Sequence, residues 1–175
     1  VHHRPDSVNG DEAWQSTDMF DDGATGGDEV AGDGVYTATL NQYQANNQIV
    51  QFYVRAVANG IETLLPKQGA DRPAMWVVDN DTVDTDLRTW RFVISAYDLD
   101  ALGSAGGGAK YNYKFPRLSN HYFNMTGISS EQTIYYGSEV RKSGSPWTRD
   151  SGNGLSRAKW KPPTDQPFRN RIKFS

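Results

Sequence analysis

The chain has 175 residues, no cysteine, and a net charge of −3 from 18 basic and 21 acidic side chains. Without cysteine there are no disulfides, thiolate metal sites or thiol nucleophiles. So small a net charge excludes a global field that draws nucleic acid or membrane, and no run of the sequence reads as a membrane-spanning helix.

Mean hydropathy is −0.70, so burial leans on the aromatics, 9 Tyr, 7 Phe and 5 Trp. Seventeen Gly and eight Pro favour turns over long helices, and the expected fold class is mainly β. Charge is uneven. Residues 1–40 hold one Arg and no Lys against nine acids, whereas 141–175 hold nine bases against Asp150 and Asp165. The two ends belong to different surfaces, and two modules are expected.

Residues 1–17 read as a short strand and a turn, with Asn9-Gly10 as the turn signal and Trp14 as a core anchor. From Met19 to Leu40 acids alternate with glycines, which predicts a tightly turned acidic loop. It feeds an alternating strand over 35–40. Residues 48–58 carry the clearest strand, with Val50, Phe52, Val54 and Ala56 on one face. Asn59-Gly60 turns it back into a partner strand over 61–65. A loop from Pro66 to Pro73 and a last strand over 75–78 complete the first module.

Residues 79–86 read DNDTVDTD, four Asp in eight positions with no apolar face, and the domain boundary is placed there. The expected organisation is a module over 1–80, an acidic linker over 81–89 and a second module over 90–175. In the second module residues 89–96 predict a strand and 97–102 one helical turn. Gly103 to Gly108 reads as a loop, 111–123 as an aromatic block and 131–142 as a strand. Residues 149–161 are basic and irregular, and 168–174 alternate as a strand.

Asp21, Asp22, Asp28 and Asp33 are the candidate ligands for Ca²⁺, which takes six to eight oxygens from flexible loops. Their spacing is not that of an EF-hand, and a solvated Gly/Asp turn is the competing reading. His2 and His3 are adjacent on a strand and point to opposite faces, and His121 stands alone, which disfavours a histidine metal site. No nucleophile elbow and no phosphate-binding Gly-rich motif occurs. Asn80 and Asn124 open glycosylation sequons. The basic C-terminal stretch, with Trp147, Trp160 and Phe168, suits contact with phosphates or an acidic polymer, or else a solvated sheet face.

Two family resemblances cover nearly the whole chain. Trp14, Met19-Phe20-Asp21-Asp22-Gly23, Ala31-Gly32-Asp33-Gly34-Val35-Tyr36 and Val50 to Ala56 resemble the second half of an immunoglobulin-like module of large secreted bacterial proteins. Trp90 to Ser95, Thr133-Ile134-Tyr135-Tyr136-Gly137, Val140 to Ser145 and the basic 159–174 stretch resemble the opening of the CotH kinase-like family. The fold implied is a partial immunoglobulin-like β-sandwich followed by a β-rich, incomplete CotH-like lobe.

The second resemblance implies an extracellular, ATP- and Mg²⁺-dependent atypical protein kinase in the parent. Arg141, Gly144 and Ser145 match its R-x-x-G-S strand and turn, and Lys159, Lys161 or Lys173 matches a phosphate-contacting base. The family's catalytic carboxylates would lie beyond Ser175. The expectation is therefore a non-catalytic scaffold or binding segment of a secreted or cell-surface bacterial protein, whose partners are the rest of the parent chain or another chain completing its sheets. The alternatives are a carbohydrate- or polymer-binding β-module, with Trp147, Trp160 and Tyr111 as stacking platforms, and a structural subunit of a surface layer or filament.

Overall fold

Alternation of apolar residues builds the longest of the described strands. In the computed structural model, which describes residues 1–79, 88–105, 120–144 and 157–171, that strand is Ile49–Ala58. The chain divides into two units, Val1–Asp6 with Glu12–Thr82, and Ser7–Asp11 with Val83–Ser175. The fold is mainly β, with two antiparallel sheets.

The first sheet holds β1 (His2–Pro5), β2 (Gln15–Ser16), β3 (Ile49–Ala58), β4 (Ile61–Leu65) and β5 (Ala74–Val77). β3 is its organiser. It pairs with β1 over Val50–Tyr53, with β5 over Ile49–Phe52 and with β4 over Val54–Ala58. The two-residue Asn59-Gly60 turn sets the hairpin register, so Ala58 faces Ile61 and Val54 faces Leu65. A 3₁₀ turn over Gly69–Asp71 separates β4 from β5.

Val50, Ala74, Met75 and Tyr43 are buried in this unit together with His3 and Gln51. Each fully buried large apolar side chain contributes about 1.5–3 kcal/mol. Trp14 is half-buried, edge-on to Tyr53 at 5.0 Å and beneath the Arg4 guanidinium at 4.4 Å. The described residues give this unit one sheet, whereas an immunoglobulin-like sandwich packs two.

The expected strand over 35–40 does not form. Only Thr37 pairs, exchanging two backbone hydrogen bonds of 2.9 Å with Phe20, and Val35 and Tyr36 are exposed. Alternation there lacks a neighbouring strand to pair with and a core to face.

The second sheet is a meander of β6 (Arg91–Val93), β7 (Phe123–Ile128), β8 (Ile134–Lys142) and β9 (Ala158–Lys161). Helix α1 (Ala96–Ala105) follows β6 and runs longer than the single turn expected. Ser95 starts it. Its hydroxyl accepts from Asp98 N–H at 3.0 Å and its carbonyl from Leu99 N–H at 2.8 Å, as an N-cap does.

Ile94, Ala101, Leu102, Phe123, Met125, Tyr135, Val140 and Trp160 form the core of this unit. Trp160 lies at its centre, 5.0 Å from Trp90 and 5.7 Å from both Tyr135 and Phe168. The basic stretch expected to be irregular thus contains a core strand. Phe168 to Arg171 forms a tight turn instead of a strand, closed by Arg171 N–H to Phe168 C=O at 2.8 Å. The expected strand's remainder, most of the acidic linker and the tip of the Gly-rich loop lie outside the described residues.

Candidate functional site

No regular element positions the acidic loop; its own carboxylates do. The Phe20–Thr37 pair closes its base. Asp21 accepts from Gly32 N–H at 2.7 Å, Asp33 N–H at 3.1 Å and Gly34 N–H at 3.1 Å. Asp28, which is buried, accepts from Gly23 N–H, and Asp33 accepts from Val35 N–H at 2.8 Å. These bonds fold the loop back on itself, so residues distant in sequence meet.

Asp21, Asp28 and Asp33 converge. Each offers one carboxylate oxygen, and these oxygens lie within 4.8 Å of one another. Two oxygens that share one Ca²⁺ at about 2.4 Å are separated by no more than about 4.8 Å, and all three pairs here meet that limit. An ionised carboxylate has about four acceptor positions. Three of Asp21's are taken, but most of those on Asp28 and Asp33 remain open. The donor set is hard oxygen throughout, which suits Ca²⁺ or Mg²⁺ and not a thiophilic metal. Among the described residues no Lys or Arg pairs with the three carboxylates.

Asp22 takes another part. Its carboxylate turns to its own backbone, accepting from Thr25 N–H at 2.7 Å and Ala24 N–H at 3.0 Å. The Thr25 amide, then the Thr25 hydroxyl and the Ala24 amide, hold it below the ordinary carboxylate range. It is a turn-former and stands apart from the convergent triplet.

The residues matched to a nucleotide site fall on the second sheet. Arg141 on β8 stands directly opposite Lys159 on β9, and Glu139 stands opposite Lys161. All four therefore share the face away from Val140 and Trp160. Lys161 donates to Glu139 at 3.1 Å, and its ammonium lies 3.8 Å from the Tyr122 ring centroid. Arg141 donates to Asn120 at 2.7 Å and covers the same ring at 5.3 Å. Gly144 follows the end of β8 at a φ of 112°. Ser145 and Lys173 lie outside the described residues. The arrangement is a basic face with one acid, three bases and an aromatic floor.

Lys142, outside the predicted site residues, is among the most buried side chains, at 2% exposure. Alternation with Val140 on β8 carries the signal. Trp160 is 6% exposed and packed in the core, so it cannot serve as a sugar-stacking platform. Trp147 and Tyr111 lie outside the described residues. His2 stacks on Tyr53 at 4.7 Å while His3 is buried against Tyr43, so the two histidines diverge. His121 packs edge-on against Phe123 at 5.0 Å.

No protein-family model, no curated protein and no solved structure matches this chain.

Proposed function

We propose that the chain is a non-catalytic, Ca²⁺-stabilised β-module of a secreted or cell-surface protein, serving as a scaffold between neighbouring parts of a larger assembly. One observation carries this reading: the carboxylate oxygens of Asp21, Asp28 and Asp33 converge within 4.8 Å with no described cation between them. Bringing three negative charges together costs about 1 kcal/mol per pair even when water screens them fully. A divalent cation offsets that cost and closes the loop. Asp21, Asp28 and Asp33 would supply the protein ligands, and water would complete the coordination. Millimolar Ca²⁺, which suits weak extracellular modules, is the relevant range. The test is calorimetric titration of the chain with Ca²⁺ and with Mg²⁺. Saturable binding of one Ca²⁺ supports the reading, and no heat up to about 10 mM, beyond the range of such modules, removes it.

A second reading, contact with an anionic ligand such as ATP–Mg²⁺ through the CotH-like half, is favoured by Arg141 and Lys159 standing side by side on β8 and β9. Neither has a carboxylate partner among the described ion pairs, whereas Lys161 is occupied by Glu139. Titration with ATP–Mg²⁺, repeated with Arg141→Ala, separates this reading from a merely solvated face.

A further inference from the structure

The hairpin of β3 and β4 carries an apolar face that is half-buried at Val54 and exposed at its β4 side. Side chains alternate along each strand, so Val54, Ala56 and Ala58 share one face with their partners Leu65, Thr63 and Ile61. Ile61 and Leu65 are each 70% exposed. The opposite face holds Arg55 and Glu62, joined at 2.7 Å, exposed Val57 beside Glu62, and Leu64, beside which Gly69 of the 3₁₀ turn packs. Among the described residues β4 pairs with β3 alone, which leaves its outer edge open.

Natural edge strands carry lysine, proline, a bulge or a short length to block pairing with another chain. Ile61–Leu65 reads IETLL, with no lysine, no proline, five paired residues and a single charge that Arg55 already engages. We infer that this edge joins a second copy of the same chain, the two β4 strands pairing antiparallel about Thr63 to make one sheet continuous across a twofold axis.

The occupant follows from self-complementarity. Antiparallel pairing about Thr63 sets Ile61 of one copy opposite Leu65 of the other, twice, on the exposed apolar face. Thr63 meets Thr63, a favourable cross-strand pair. Glu62 meets Leu64, and the nearest charge beyond that leucine is Arg55, its register partner. No like charges stand directly opposite each other across the axis. A shift of one residue would turn the second copy over, setting Ile61 beside Leu64 and the Ile61/Leu65 face of one copy level with the Arg55/Glu62 face of the other. An interface of two five-residue strands is small, so the dimer is a weak one that strengthens with local concentration.

The test is sedimentation velocity on the full chain from about 10 µM to about 1 mM, the range of weak contacts. The expected result is a monomer–dimer equilibrium. Ile61→Lys/Leu65→Lys places like charges in register and should weaken the dimer by at least about tenfold. Ile61→Lys/Leu65→Glu places opposite charges there and should restore it. As a measurement independent of the variants, amide exchange of the unaltered chain should slow at Ile61–Leu65 as concentration rises. A monomer throughout, a dimer indifferent to the double-lysine change, or a failure of the Lys/Glu pair to restore it overturns the inference.

Discussion

The Nδ1 of His3 lies 2.7 Å from the hydroxyl of Tyr43, forty positions along the chain, and ties the first strand to the segment that follows the acidic loop. Its Nε2 lies 2.9 Å from the Thr17 hydroxyl. Each ring nitrogen thus faces a group able to donate or accept, which suits a neutral imidazole. Burial, then the positive charges of the N-terminus and His2, push the His3 pKa below its ordinary value, while burial pushes that of Tyr43 up. The unfolded chain therefore binds the proton first. The stabilising contribution is full above about pH 6.5 and is lost as pH falls from there through the lower folded-state value. Amide-exchange protection at β1 and β3, taken relative to the intrinsic base-catalysed rate, should fall as pH drops from about 7 to about 5, and Tyr43→Phe should cost about 1–3 kcal/mol at pH 7.5 by leaving a buried nitrogen unpaired. Exchange protection that stays level across that range would sink the idea.

Two glycines of the acidic loop separate backbone strain from crowding. Gly26 and Gly32 both have left-handed φ, 66° and 74°. A Cβ at Gly26 would sit 2.9 Å from the Thr37 carbonyl oxygen, in the backbone of the pair that closes the loop, whereas one at Gly32 meets nothing within 4 Å. Gly32→Ala should cost about 1–2 kcal/mol, the left-handed penalty alone. Gly26→Ala adds displacement of the Thr37 backbone and should cost distinctly more. Urea unfolding of the two variants checks the order, and equal losses would mean that the loop base yields freely.

Trp160 distinguishes a packed core from a binding platform. It is 6% exposed, with Trp90 5.0 Å and Tyr135 5.7 Å away. Trp160→Ala should destabilise the second unit by about 3–5 kcal/mol, as removal of a buried aromatic does. A surface platform would tolerate the change within about 0.5 kcal/mol. Loss of the near-ultraviolet circular dichroism signal together with a lower urea midpoint is the expected outcome.

The β3–β4 hairpin was legible because a long alternating run met an Asn-Gly turn, and both signals demand the same register. The 35–40 stretch alternates equally well but pairs only at Thr37, because pairing depends on a neighbour the local pattern does not specify. Helix α1 runs past the expected turn because its glycine and weak amphipathicity hide its length, although Ser95 and Asp98 stand at cap spacing ahead of Leu99. β7 is hidden in the sequence because Phe123, Met125 and Gly127 alternate only if the glycine counts as inward-facing, and Trp160 is what fills that space. In the acidic loop the residue types were readable and the grouping was not. Asp22 and Asp21 are neighbours in sequence, yet one bonds two and three residues ahead while the other reaches amides eleven to thirteen residues away.

Asp33→Asn tests the carboxylate triplet through the sign of two effects. Asp33 is exposed, and the Asn side-chain oxygen can still accept from Val35 N–H, so the turn itself is preserved. Without added cation the change removes one of three clustered negative charges, and stability should hold or rise by up to about 1 kcal/mol. With Ca²⁺ the same change removes a charged ligand, and affinity should fall at least about tenfold. The stabilisation that excess Ca²⁺ gives the unaltered chain should shrink correspondingly, since a ligand stabilises only as far as its concentration exceeds its dissociation constant. Thermal unfolding of both proteins in chelator and in about 10 mM Ca²⁺ reads all four states at once. Opposite signs in the two conditions require a cation site. A loss of stability in chelator, unchanged by Ca²⁺, would mean that the three carboxylates act only as acceptors for the backbone of their own loop.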